Sequence, residues 1–168
     1  MFTLLCTKRC RTPYRAAILL LCAWSLGCLP PVMAAPQVVE GFDQAGWRQL
    51  VARVSVPAIV VFTSEACAYC PGAIARIAAS LAASRSRTQL LVVSVDGDDA
   101  VLLQEAKYAG ANRLFVFRGR SQAVRYAVNP AWRGMTPYIA YLSPKAPPRF
   151  VLGEPDTQTL QGWITAGR

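Results

Sequence analysis

Ala58-Ile59-Val60-Val61-Phe62-Thr63-Ser64-Glu65-Ala66-Cys67-Ala68-Tyr69-Cys70 is the stretch on which the reading of this chain turns. Its first five residues are apolar and rich in β-branched side chains, the pattern of a strand buried on both faces of a sheet. Thr63-Ser64-Glu65 turns the chain. Beyond it, the stripe Ile74, Ile77, Ala78 and Leu81 predicts a helix that Cys67 opens and that lasts to about Ser84. A cysteine at a helix entrance meets unpaired backbone N–H groups and the positive end of the helix dipole, both of which favour a thiolate. Cys70, one turn later on the same face, points inward. That assigns Cys67 as the attacking thiol and Cys70 as the resolving one, against the plainer alternative of two buried structural cysteines.

Working outward, the chain has six cysteines, but Cys6, Cys10, Cys22 and Cys28 all fall in the first 34 residues. Lys8, Arg9, Arg11 and Arg15 precede an apolar run from Ala16 to Leu29, which ends in Pro30-Pro31-Val32-Met33-Ala34-Ala35. That order is the basic, apolar and small-residue order of a secretory signal, with cleavage expected after Ala34. The apolar run is shorter than the roughly 18–20 residues of an ordinary membrane span. The expectation is therefore a cleavable signal peptide over 1–34, one domain over 35–168, and export to the periplasm. Anchoring through an uncleaved signal, or through lipidation of Cys28 in Leu26-Gly27-Cys28, is the less favoured reading.

Composition excludes several chemistries. The chain has no histidine, so a Ser-His-Asp or Cys-His hydrolase in cis is ruled out. Haem attachment through Cys-x-x-Cys-His is ruled out too, because Pro71 follows Cys70. Two thiols are half a structural zinc site at most. No cofactor and no metal is implied. Residues 35–168 hold fourteen Lys and Arg against nine acids, a net charge of +5. They contain no run of five or six like charges, so no nucleic-acid partner is expected. Arg113, Arg118, Arg120, Arg125 and Arg133 lie in one stretch and are read as a solvated, basic surface.

The remaining elements follow from periodicity and caps. Val38-Val39 ends a short tether as an edge strand. A helix from Asp43 to Val54 is capped by Asp43, with Phe42 packed on Trp47, and Pro57 stops the segment. Strands are expected over 89–95, 114–117, 138–142 and 149–152, the last two as an antiparallel hairpin. Helices are expected over 100–109 and 121–128, and from Asp156 or Thr157 through Ile164. The order is β-α-β-α-β and then β-β-α, which implies a mixed central sheet with helices on both faces.

This order, with the Cys pair after a buried strand and Thr136-Pro137 before the strand at 138–142, resembles the thioredoxin superfamily across 38–168. The resemblance implies the α/β thioredoxin fold with an inserted strand-helix segment before a cis-proline. By resemblance, Pro137 is that cis-proline beside the Cys pair, and the Thr136 backbone bonds an incoming peptide. A plain trans turn is the alternative. The insertion resembles exported reductase-type thioredoxins of cytochrome c assembly, whereas Cys-Ala-Tyr-Cys with Thr-Pro is similar to periplasmic disulfide isomerases. Ala68 and Tyr69 join the substrate-binding residues, with mere cover of the disulfide the equal alternative for Tyr69. Ala66 stands where cytosolic relatives carry tryptophan, and Val61 where they carry a buried aspartate. Glu65 is the nearest substitute acid, read chiefly as a solvated one. Pro71 is expected to leave the Cys67 carbonyl unpaired.

The function expected is exported thiol–disulfide exchange with protein disulfide or dithiol substrates, reductase or isomerase rather than oxidase, with a membrane thiol electron donor or acceptor. Two alternatives stand beside it: a non-catalytic thioredoxin-fold subunit of a secretion or conjugation assembly, and a two-thiolate carrier of a soft metal such as Cu(I).

Overall fold

The computed structural model describes residues 36 and 38–166. The segment read as a signal, with its four cysteines, lies outside the described residues. Strand β1 (Val39–Phe42) leads into helix α1 (Gln44–Arg53). Asp43 caps that helix, its Oδ1 accepting the Gly46 N–H at 2.7 Å. Phe42 and Trp47 close the staple, with ring centroids 6.3 Å apart. Strand β2 (Ala58–Thr63) is buried at all six positions, as its unbroken apolar run requires. Strand β3 (Gln89–Ser94), strand β4 (Arg113–Phe117), and the hairpin of β5 (Tyr138–Leu142) with β6 (Arg149–Leu152) complete one six-stranded sheet.

The strand order is β1-β4-β3-β2-β5-β6. The first four strands run parallel, and β5 and β6 join antiparallel. The inserted strand β4 is not an appendage: it lies between β1 and β3, inside the sheet. Helix α2 spans Cys70–Ser84 and closes at Arg85, which takes a left-handed φ of 51°. Helix α4 covers Ser121–Val128, and helix α5 covers Thr157–Thr165. Asp156 caps α5, accepting both the backbone N–H and the hydroxyl of Thr159 at 2.8 and 2.7 Å. Those bonds hold its carboxyl below the usual carboxylate pKa.

The helix expected over 100–109 is two pieces. Helix α3 spans only Asp99–Gln104, Glu105 is extended, and a single 3₁₀ turn follows over Ala106–Tyr108. A continuous helix would set Leu102 and Tyr108, six residues apart, about 120° apart around its axis. The break lets both enter the same core. The loop beyond then runs so close to α2 that a Cβ on Gly110 would stand 2.6 Å from the Cβ of Ala78.

The sheet separates two cores. On one side Ile59, Val61, Leu90, Val92, Val116 and Ile139 pack under α2 and α5 with Ile74, Ile77 and Leu160. On the other, Phe42, Trp47, Phe62, Phe115, Phe117, Trp132 and Tyr138 form a largely aromatic core. Each large apolar side chain taken fully from water contributes about 1.5–3 kcal/mol. At the end of β2 from which the cysteine loop leaves, Val61 belongs to the first core and Phe62 to the second.

Candidate functional site

Helix α2 begins three residues later than expected, at Cys70 rather than Cys67. Pro71 explains the shift. It has no N–H to donate back to the Cys67 carbonyl, so a regular helical turn cannot start there. Instead the Cys70 N–H closes a tight turn onto the Cys67 carbonyl at 3.3 Å, and the Ala73 N–H bonds the Tyr69 carbonyl at 3.1 Å. The Cys67 carbonyl is therefore paired, contrary to the expectation drawn from Pro71. Cys67 stands in the turn that feeds the helix, not in the helix itself.

The two sulfurs are joined as a disulfide across a Cα–Cα distance of 5.5 Å. The pair is asymmetric. Cys70 is 1% exposed beneath the helix, whereas Cys67 is half-buried at the surface. A reagent or protein approaching from solvent meets Cys67 first. Ala68 is exposed, and Tyr69 is the most exposed large apolar side chain among the described residues, at 81%.

Two anchors fix the loop before Cys67. The Glu65 N–H donates to Asp96 Oδ1 at 2.9 Å, tying the loop to the end of β3. The Cys67 N–H donates to the Ser64 carbonyl at 3.1 Å, and Ser64 Oγ in turn hydrogen-bonds Thr136 Oγ1 at 3.1 Å. Ser64 thus links the cysteine turn to the Thr136–Pro137 segment. The Thr136–Pro137 peptide is cis, and Pro137 is buried. The Pro137 carbonyl accepts the Gly153 N–H at 2.8 Å, while neither the N–H nor the carbonyl of Thr136 has a backbone partner among the described residues. Those two groups are open to an added strand.

The segment leading to Thr136 is held by side chains that the sequence alone did not single out. Trp132 is buried, stacks on Tyr138 with centroids 4.8 Å apart, and donates its indole N–H to the Met135 carbonyl at 2.9 Å. Asn129 Nδ2 donates to the Tyr138 hydroxyl at 2.7 Å. Burial pushes the Tyr138 phenol above its usual pKa, with the Asn129 bond a smaller opposing effect, so it stays neutral. A tryptophan and a glycine just before Thr-Pro were the only available signal for this bracket. Ser64 had none beyond its place in the turn.

No carboxylate is buried among the described residues; the buried polar side chains are Thr63, Thr88 and Ser94. Val61 is fully buried in the aliphatic core, and Glu65 is exposed. The five arginines differ in their partners. Arg113 pairs with Glu40 and Arg118 with Asp99, while Arg120, Arg125 and Arg133 pair with no acid. No group of three or more potential metal ligands gathers among the described residues.

No family model matches this chain, and no curated protein matches it. Solved structures do. The thioredoxin domain of a thiol-disulfide oxidoreductase from Bacteroides vulgatus matches with a TM-score of 0.51 at 14% identity, over 79% of this chain and 97% of that one. DsbF of Mycobacterium tuberculosis, solved in mixed oxidized and reduced forms, matches with a TM-score of 0.50 at 14% identity, over 84% of this chain and all of the other. At such identities the likeness shows the fold. The chain has the thioredoxin fold, mixed sheet and flanking helices included, with a Cys-x-x-Cys disulfide at the entrance to α2.

Proposed function

We propose that this thioredoxin-fold chain is an exported protein thiol–disulfide oxidoreductase, working through Cys67 as nucleophile and Cys70 as resolving thiol. The observation that carries the reading is the unequal exposure of the closed pair: Cys67 reachable, Cys70 1% exposed behind it. In the reducing direction the Cys67 thiolate attacks a substrate disulfide. A Cys67–substrate disulfide forms, and one substrate thiolate leaves with the bonding electron pair. Cys70 then attacks the Cys67 sulfur, the Cys67–Cys70 bond closes, and the second substrate thiolate departs. The substrate gains two electrons, and with two protons from water becomes a dithiol. The same atoms run backwards in oxidation.

The Gly72 N–H, free of any backbone acceptor among the described residues, and the dipole of α2 favour the thiolate of Cys67. The open N–H and carbonyl of Thr136 hold the substrate backbone beside Pro137, and Ala68 and Tyr69 cover its other side. With no buried carboxylate to accept the Cys70 proton, resolution depends on solvent, so it speeds up with pH until the thiol is ionised. We favour reductase or isomerase, with a membrane thiol donor regenerating the dithiol. Among the described residues no helix is long and apolar enough to cross a membrane.

The deciding measurement is the reduction potential of the pair in the purified protein, read by trapping free thiols after equilibration with defined thiol buffers. A value near or below about −250 mV supports a reductase. A value above roughly −180 mV would exclude the reductase and leave an isomerase or an oxidase. Failure of Cys67 and Cys70 to form a reversible disulfide would sink the enzymatic reading and leave a non-catalytic assembly subunit.

A further inference from the structure

Among the described residues a minority of the basic side chains sit in ion pairs. Arg76 pairs with Glu154, Arg113 with Glu40, and Arg118 with Asp99. Arg125, in the last turn of α4, is not among them, and it is set apart from the other unpaired cations by what it packs on. Its Cδ, Nε and Cζ lie 3.4, 3.4 and 3.6 Å from the point where a Cβ on Gly134 would stand. Gly134 has a φ of +91°, a conformation strained for any side chain, and its bare backbone is the bed on which the arginine lies. Arg125 is thus held by packing rather than by charge. All nine acids of the chain fall between Glu40 and Asp156, and none is within ion-pair distance of Arg125 or Arg133.

The position of this cation gives it a use. Gln122, Arg125, Tyr126, Pro130, Trp132 and Arg133 line an open cleft of about 200 Å³. Trp132, its floor, is the residue that anchors Met135, which is 56% exposed, by its carbonyl. Gly134 is two residues from Thr136 and so at most about 7 Å from it. A polypeptide paired to Thr136 with its cysteine at Cys67 would lay a residue two or three positions from that cysteine across Gly134, within reach of Arg125. A guanidinium fork offers paired donors to a carboxylate.

We propose that Arg125, reinforced by Arg133, is a specificity-determining residue that selects substrates with an acidic side chain two or three residues from the reactive cysteine. This rests on the thiol-exchange reading above. It adds to that reading the chemistry of the preferred substrate, an extended acidic segment.

The test uses the full chain with Cys70→Ser, so that the reaction stops at the Cys67–peptide disulfide. Synthetic peptides carry one cysteine as an aryl disulfide of 5-thio-2-nitrobenzoate, with Asp, Asn or Lys placed two or three residues to either side. The Cys67 thiolate attacks the peptide sulfur, the peptide–aryl S–S bond breaks, and the coloured aryl thiolate leaves with the electron pair. The same protein with Cys67→Ser as well gives the background from other thiols. On at least one side the Asp peptides should react about three- to ten-fold faster than the Asn peptides, and the Lys peptides slowest. About 0.5 M salt should narrow the gap. Arg125→Gln should remove it, Arg125→Lys should keep part of it, and Arg120→Gln should leave it intact. Equal rates for Asp, Asn and Lys in the otherwise wild-type protein would overturn the proposal, as would a preference that survives Arg125→Gln. If no peptide reacts above the Cys67→Ser background, the thiol-exchange reading itself falls.

Discussion

The two faces of the sheet are built from different materials. The face under α2 and α5 is mainly aliphatic, and the helix whose Ile74 and Ile77 fill it begins at the buried Cys70. The face under α1 and α4 is aromatic: Phe62 has the rings of Phe42, Trp47, Phe117, Trp132 and Tyr138 within 6.4 Å of its own. Aliphatic side chains fill space without preferred orientation, which suits a helix whose task is to hold one thiol out of water. Aromatic rings lock in tilted or stacked pairs and keep a polar handle. Here that handle is the Trp132 indole N–H on the Met135 carbonyl. One face therefore supplies the buried thiol, and the other positions the backbone that would receive a substrate.

Breaking the aromatic face should have the largest effect. Trp132→Ala should cost about 3–5 kcal/mol in urea unfolding and also slow mixed-disulfide formation, because the Met135 carbonyl loses its donor. A comparable truncation on the other face, Ile77→Ala, should cost about 2–5 kcal/mol and yet leave exchange rates unchanged. If the two variants slow exchange equally, the division of labour between the faces is wrong. Next comes the link across the site. Ser64→Ala removes the bond to Thr136, and should cost about 0.5–1.5 kcal/mol while slowing reaction with peptides more than with a small aryl disulfide. Equal slowing of both would mean that Ser64 does not position Thr136.

The smallest effect concerns the cap of α5. Asp156 has its pKa lowered in the folded protein, chiefly by the Thr159 backbone N–H. Its stabilisation is therefore present above the unfolded value, about 4, and lost as pH falls through the lower folded value. Thermal melts of Asp156→Asn and wild type should differ at pH 6 and converge as pH drops well below 4. A gap that persists there would assign the difference to something other than the carboxylate.

Much of this was legible in the sequence, for a definite reason. The strands at 58–63, 89–94 and 138–142 are runs whose burial on both faces leaves no alternation to misread. Caps at Asp43 and Asp156 marked two helix starts, and the acidic stretch Asp96-Gly97-Asp98-Asp99 marked a third, where the structure makes Asp98 the cap. The Cys pair stood out through its place after a buried strand. The misreadings were local: Pro71 moved a helix start by three residues, and the shared burial of Leu102 and Tyr108 broke a helix that periodicity had joined. What stayed hidden were contacts across the chain. Ser64 and Thr136 are 72 residues apart, and nothing near either names the other. Trp132 and Asn129 gain their roles only when β5 brings Tyr138 beneath them.

The approach of Gly110 to Ala78 bears on how such a protein tolerates change. Two of the smallest residues meet there, and the helix that bears Cys70 rests at a separation that any larger pair would widen. A single added methyl at 110 has nowhere to go except by lifting α2 or the loop. The depth of the inner sulfur is thus gauged from a position 40 residues away that has no functional group at all. Substitutions at this contact would be felt as altered thiol accessibility before they were felt as unfolding.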